Sequence, residues 1–179
     1  MAGPSFLCTP LNEGHQLVHF SCGHVDYDEW LKAKARDAHE ARISRVFVLA
    51  PPDEPRHVVA YFTLSNNTVY KSDIPNRFAK GVGGASQMPG ILLGRLARDE
   101  SARGILPHIM LAAFERAVQA SDLSAARFLV IDAADERLAT MYEAYGFTRA
   151  KVKEERSTIP LIRFIKDIVA EMKAAETPA

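Results

Sequence analysis

Several things are scarce in this sequence, and each scarcity narrows the reading. Only two cysteines, Cys8 and Cys22, occur in 179 residues. That argues against a disulfide framework and for a reduced, cytoplasmic setting. Net charge is absent. With 22 basic against 22 acidic residues, no global field draws the chain to nucleic acid or to an anionic membrane, and any such contact must come from a local patch. No apolar run approaches the ~20 residues of a membrane span, and Met1-Ala-Gly-Pro lacks the charged-then-apolar layout of a signal peptide. A metal centre is not expected either. His15, His19 and His24 stand near Cys8 and Cys22, but their spacing fits no zinc finger or ribbon.

What is present suffices for one domain with a full hydrophobic core, taken as residues 1–179. Residues 6–25, with Pro10, Gly14 and Gly23, read as a strand and loop. From Asp26 the spacing predicts a helix: Tyr27, Trp30, Leu31, Ala38 and Ala41 recur at intervals of three and four, with Glu29, Lys32, Arg36 and Glu40 on the other side. Lys32, Lys34, Arg36, Arg42 and Arg45 give this segment a basic bias, for which a solvated face is the default reading and a polyanion contact the alternative.

Arg45-Val-Phe-Val-Leu-Ala50 and Val58-Val-Ala-Tyr-Phe-Thr-Leu64 flank a proline-rich break and predict a hairpin. Ser65-Asn-Asn67 predicts a turn into a third strand, Thr68–Tyr70. Asp73 to Met88 reads as a long loop carrying Arg77 and Lys80. Ile91–Arg98 predicts a central strand, followed by a short polar turn with one glycine. A helix is expected next, with Leu106, Met110, Ala113, Phe114, Ala117 and Val118 on its apolar face. Such a strand, turn and helix can present free backbone N–H groups to a phosphate.

Phe128–Asp132 predicts a buried strand, and Glu136–Tyr145 a helix stopped by Gly146. After Phe147 two more strands are expected up to Ile159. Leu161, Phe164, Ile165, Ile168 and Met172 then predict a C-terminal helical extension over 161–174. Alternating strand and helix give an α/β domain with a mixed sheet.

At this point the motifs carry a resemblance. Phe20-Ser-Cys-Gly23 before Asp28-Glu-Trp-Leu31, Ser44-Arg-Val-Phe-Val48, Leu93-Gly-Arg-Leu-Ala97 with Asp99, and Met141-Tyr-Glu-Ala-Tyr-Gly-Phe147 occur in one order over residues 8–150. In this the chain resembles the GNAT acetyltransferases, and more narrowly the TacT/AtaT-type bacterial toxins that acetylate aminoacyl-tRNA. The resemblance implies a single-domain GNAT fold: a mostly antiparallel mixed sheet, flanking helices, and two splayed central parallel strands with the acetyl-CoA arm between them. It implies that Leu96, Ala97 and Arg98 offer backbone groups to that arm. The turn Arg103, Gly104, Ile105, Leu106 and His108 would hold the pyrophosphate, with the acceptor amine entering from the opposite side.

The same resemblance makes Tyr142 the catalytic tyrosine. A phenol of pKa about 10 keeps at neutral pH a proton that it can give to the departing thiolate. Asp99, Glu100, Asp132 and Asp135 read as turn and cap residues. No general base stands out, which leaves water to take the amine proton. Lys32, Arg36, Arg77, Lys80 and Arg95 are candidate contacts to tRNA phosphates, together with Arg98 on the same strand. The implied partners are aminoacyl-tRNA, an antitoxin protein and a second copy of the chain.

The turn departs from the family pattern by keeping Arg103 and Gly104 but placing Leu106 and His108 where small residues are usual. Pro107 lacks a donor, and His108 would either donate to a phosphate or fill its space. A catalytically weak module that binds RNA or a protein is therefore the alternative. An enzyme acting on a small amine or a protein N-terminus is a third.

Overall fold

The proline-rich break does join a hairpin. In a computed structural model, which describes residues 5–151 and 156–176, β2 (Arg45–Ala50) runs antiparallel to β3 (Ala60–Tyr70), with Val46 opposite Thr63 and Val48 opposite Tyr61. The expected turn at Ser65–Asn67 does not form, because β3 continues through it as an eleven-residue strand. Thr68, Val69 and Tyr70 are good strand formers, and Val69 is buried, which holds the strand straight through its polar middle.

The other strands are β1 (Leu7–Pro10), β4 (Gln87–Arg98), β5 (Phe128–Ala133), β6 (Thr148–Arg149) and β7 (Ile159–Phe164). They form one seven-stranded sheet in the order β1-β2-β3-β4-β5-β7-β6. The sheet is mixed: β4 and β5 are parallel, whereas β1–β2, β2–β3, β5–β7 and β6–β7 are antiparallel. The parallel ladder joins Gly90, Ile91 and Leu92 to Phe128, Leu129 and Val130. Leu93 and Ile131, next in register, lie beyond it. A parallel pair that stops while both strands continue leaves backbone groups in need of other partners.

The single helix expected from Asp26 is two helices, α1 (Val25–Ala33) and α2 (Ala35–Glu40). Lys34 between them has φ −126°, off the helical region. No glycine or proline marks that break, so side-chain periodicity alone ran through it. The remaining helices are α3 (Leu106–Leu123), α4 (Glu136–Glu143) and α5 (Ile165–Glu176). Leu161 and Phe164, assigned by spacing to the C-terminal helix, belong instead to β7, where they face Ile131 and Phe128 of β5. Among the described residues no helix is long and apolar enough to cross a membrane.

Contacts divide the chain into two units, with boundaries inside β3, β4 and α3. Unit 1 comprises residues 1–65 and 94–115, unit 2 residues 66–93 and 116–179. In unit 1, Leu17, Phe20, Leu31, Val46, Val48 and Tyr61 form an apolar core under α1 and β2. Tyr61 donates to the Tyr27 carbonyl at 3.0 Å, which satisfies its buried hydroxyl.

Two buried histidines of unit 1 act as acceptors. His39 Nδ1 takes the Val46 N–H at 3.0 Å, and His15 Nδ1 takes the Asn12 N–H at 3.1 Å. Burial, with Arg45 nearby, holds His39 below the ordinary imidazole range; burial does the same for His15. A neutral ring is needed for both bonds. Their contribution to stability is therefore present above the unfolded pKa of about 6.5 and is lost as pH falls below it. The melting temperature should drop between pH 7.5 and pH 5.5; an unchanged or higher value at pH 5.5 would contradict this role.

In unit 2, Val69, Ile74, Phe78, Met88, Phe128, Val130 and Ile162 form a second core. The segment read as a loop from Asp73 includes a short 3₁₀ turn, Asn76–Ala79. Arg127 pins it by donating to the Lys80 carbonyl at 2.8 Å while its guanidinium lies over Phe164, 5.1 Å from the ring centroid.

Candidate functional site

In unit 1, the end of β4 is tied to the loop that precedes α1. Asp99 N–H donates to the Val59 carbonyl and Glu100 N–H to the Ser21 carbonyl, both at 2.8 Å. The Asp99 carboxylate accepts from Ser21 N–H at 2.8 Å and Ser101 N–H at 2.9 Å. Burial pushes this carboxyl up, but the Ser101 and Ser21 hydrogen bonds outweigh it and hold Asp99 below its ordinary value. Asp99 is thus a staple between chain segments. It does not cap α3, which begins at Leu106.

The turn that follows has room for an anion. Gly104 adopts φ +80°, and a Cβ placed there would meet nothing within 4 Å. Among the described residues, no backbone carbonyl accepts from the N–H groups of Arg103, Gly104, Ile105 or Leu106. The first turn of α3 carries no acidic residue, so no carboxylate of that turn offsets its positive end. Pro107 sits in that turn, where a missing N–H costs no helical hydrogen bond. His108 and Ile109 donate their N–H groups to the Ile105 carbonyl at 3.0 and 3.1 Å. The His108 ring packs edge-on against Phe6 with centroids 5.3 Å apart, and its buried Nδ1 has no hydrogen-bond partner among the described residues. Leu96 is half-buried, Ala97 is buried, and Arg98 donates to the Asp99 carbonyl at 3.2 Å.

Tyr142 belongs to unit 2. It is 6% exposed and is the next-to-last residue of α4. Its ring meets Phe147 in a T-shaped contact at 6.1 Å, and its carbonyl accepts from Tyr145 N–H at 2.9 Å. Asp135 caps α4 as expected, accepting from Leu138 N–H at 2.8 Å. Arg149 of β6 bridges the helix from outside, at 2.7 Å from Glu136 and 3.0 Å from Glu143. The helix stops because Gly146 takes φ +81°; a Cβ there would stand 2.9 Å from Arg163 Nε and 3.0 Å from its Cζ. Arg163 is 5% exposed and pairs with Glu171 of α5. Local spacing could not reveal Arg149 or Arg163, since their partners lie 6 to 17 residues away in sequence.

The candidate phosphate contacts have differing surroundings. In unit 1, Lys32 is exposed on the last turn of α1. Arg36 is occupied by the Asn12 and His15 carbonyls, and Arg95 lies 4.5 Å over the Trp30 ring. Being three residues apart on a strand, Arg95 and Arg98 point to opposite faces in regular pleating. In unit 2, Arg77 stacks on Phe78 at 4.9 Å and donates to Thr148 Oγ1 at 3.2 Å, and Lys80 is exposed. Burial and the Asp28 hydrogen bond push the Cys22 thiol up to about 11, so it stays protonated at neutral pH and is a poor nucleophile. Among the described residues, no group of His, Cys, Asp and Glu is arranged to hold a metal.

No protein-family profile matches the chain. It is 29% identical over 139 residues, 76% of its length and 81% of the relative's, to a tRNA-acetylating toxin of Mycobacterium tuberculosis. Among solved structures, AtaT complexed with acetyl-methionyl-tRNAfMet superimposes with a TM-score of 0.82 at 23% identity, covering 94% of this chain and 99% of the other. A mutant AtaT toxin bound to the C-terminus of the antitoxin AtaR and to acetyl-CoA gives 0.75 at 22% identity, covering 93% and 98%. The strand order, the parallel pair and the flanking helices agree with the GNAT architecture that the motifs implied. The chain thus has the fold of the GNAT toxins, and in sequence it is similar to a tRNA-acetylating toxin.

Proposed function

We propose that this protein transfers an acetyl group from acetyl-CoA to the amino group of aminoacyl-tRNA, blocking translation as a toxin. The observation that carries the reading is the 103–108 turn. Its departures from the family pattern leave intact what a diphosphate needs: an open glycine at φ +80°, backbone N–H groups without backbone acceptors, and a helix N-terminus free of acids. Arg103, exposed beside Gly104, adds a cation. Leu96, Ala97 and Arg98 hold the pantetheine arm by their backbone groups. Acetyl-CoA supplies an acetyl group already activated as a thioester.

Tyr142 Oη holds the proton needed by the departing thiolate, and water takes the proton lost by the amine. Lys32, Arg36, Arg77, Lys80 and Arg95 contribute to tRNA binding, those with free guanidinium or ammonium edges most. The relative's action on tRNA and the AtaT complexes with acetyl-methionyl-tRNA, antitoxin and acetyl-CoA support this substrate, donor and partner class. The same reading places the protein in the cytoplasm with charged tRNA and makes it a homodimer opposed by an antitoxin.

Calorimetric titration tests the turn. Acetyl-CoA should bind the wild type, and Gly104→Val should weaken binding by about tenfold or more, since a β-branched side chain at positive φ costs upward of ~1 kcal/mol and displaces the turn. Equal affinity of the two proteins, or no binding by the wild type, would remove the ground for the proposal.

A further inference from the structure

Unit 2 contains a cavity of about 220 Å³ that the sequence did not announce. Its floor includes Val69, Val130 and Ile162, 5, 7 and 2% exposed. At its rim stand Thr68 and Asp132, both exposed. The strand register fixes which side of the sheet this is. On β5, Phe128, Val130 and Asp132 share one face, and opposite them on β7 stand Phe164, Ile162 and Pro160. Arg163, on the other face of β7, is the residue that touches Gly146 at the end of α4. The cavity therefore lies on the face of unit 2 away from α4 and Tyr142.

The rim charges are not equivalent. Asp73 accepts from Ser72 Oγ at 2.6 Å, and Lys151 Nζ is directed to Asn76 Oδ1 at 3.3 Å. Asp132 has no hydrogen bond or ion pair with any described residue, although it lines the cavity. It stands two residues beyond Val130, the last β5 residue paired with β4, so it sits where the parallel strands cease to pair. An apolar floor with a rim carboxylate that no described residue engages, beside the exposed Arg156, matches an α-amino acid, with its side chain on the floor and its amino group at the carboxylate.

We propose that this cavity holds the amino acid of the acceptor, favouring aliphatic side chains the size of leucine or methionine, with Asp132 binding the amino group. This rests on the acetyl-transfer reading above and adds to it the selection among charged tRNAs. A reactive amine must enter from a side not filled by the helix that carries the proton donor, and the cavity is on such a side.

Two measurements test it. In the first, the wild type and Val130→Phe are compared on tRNAs charged with glycine and with methionine. Filling the floor should lower the methionine-to-glycine ratio of kcat/KM by about 10- to 100-fold. Should Val130→Phe fail to fold, Thr68→Trp at the exposed rim is the substitute and should shift the ratio the same way. Asp132→Asn should raise KM for both tRNAs while acetyl-CoA affinity, read by calorimetry, stays unchanged.

In the second, which needs no turnover, leucinamide and glycinamide are titrated into methyl-labelled protein. Leucinamide should shift the Val69, Val130 and Ile162 methyl resonances more than glycinamide does. If acetyl transfer proceeds but the ratio is unchanged, or those methyls do not respond to leucinamide, the cavity is not the acceptor site. If leucinamide shifts them and no charged tRNA is acetylated, the cavity assignment stands and the tRNA reading falls.

Discussion

Tyr142→Phe should lower acetyl transfer to charged tRNA by about 10²- to 10⁴-fold while leaving acetyl-CoA affinity unchanged. The change removes one oxygen and its proton and keeps the ring. Tyr142 is 6% exposed, and its packing on Phe147 is a ring contact that phenylalanine preserves. Its backbone ties, from the Tyr142 carbonyl to Tyr145 and Phe147 N–H, do not involve the hydroxyl. A fall in rate should therefore appear in kcat. A rate within assay error of the wild type would mean that the thiolate takes its proton elsewhere and that Tyr142 is only a packing residue of α4.

Gly146→Ala should cost about 2 to 5 kcal/mol of stability, adding the left-handed backbone penalty to an overpacked contact. For a domain of this size that lowers the melting temperature by roughly 5 to 15 °C. The usual price of losing a glycine at a helix end is smaller. Here the added methyl would meet Arg163 Nε at 2.9 Å and Nη2 at 3.2 Å, and that guanidinium is buried and paired with Glu171. The side chain has little room to move. Because the Met141–Phe147 segment carries Tyr142, transfer activity should fall as well. The two contributions separate in an Arg163→Ala background, where only the backbone penalty remains and Gly146→Ala should cost less. An equal cost in both backgrounds would show that the Arg163 contact is immaterial.

Gly146 also illustrates what the sequence could convey. Its role as the stop of α4 was legible because glycine after a periodic helical run has one common use. Its second constraint, the guanidinium seventeen residues later, left no local mark. The same division holds elsewhere. The β2–β3 hairpin was legible from β-branched runs around prolines, and β5 from its continuous apolar stretch.

Ser65-Asn-Asn67 has turn composition, yet buried residues on either side and pairing across the sheet keep it extended. Tertiary context overrode propensity there. Leu161 and Phe164 satisfied a helical spacing by coincidence, and the six-residue register with β5 decided otherwise. At the candidate site, residue types and order marked Tyr142 and the 103–108 turn through family resemblance. The physical state of that turn required coordinates, because an unsatisfied N–H is a property of what surrounds it. The cavity was invisible for the same reason, since Val69, Val130 and Ile162 come from three different strands, and Asp132, read as a turn or cap residue, proved to be a strand residue lining that cavity.

The most direct test of the account is transfer of radiolabelled acetyl from acetyl-CoA by the purified protein, with intact aminoacyl-tRNA, deacylated tRNA and free amino acid offered in parallel. The account predicts label on the α-amino group of the aminoacyl-tRNA, none on deacylated tRNA, and far less on the free amino acid. It also predicts a rate that falls as salt rises, because phosphate contacts supply part of the binding. Label on the free amino acid or on a protein N-terminus in preference to charged tRNA, or no transfer despite acetyl-CoA binding, would contradict it.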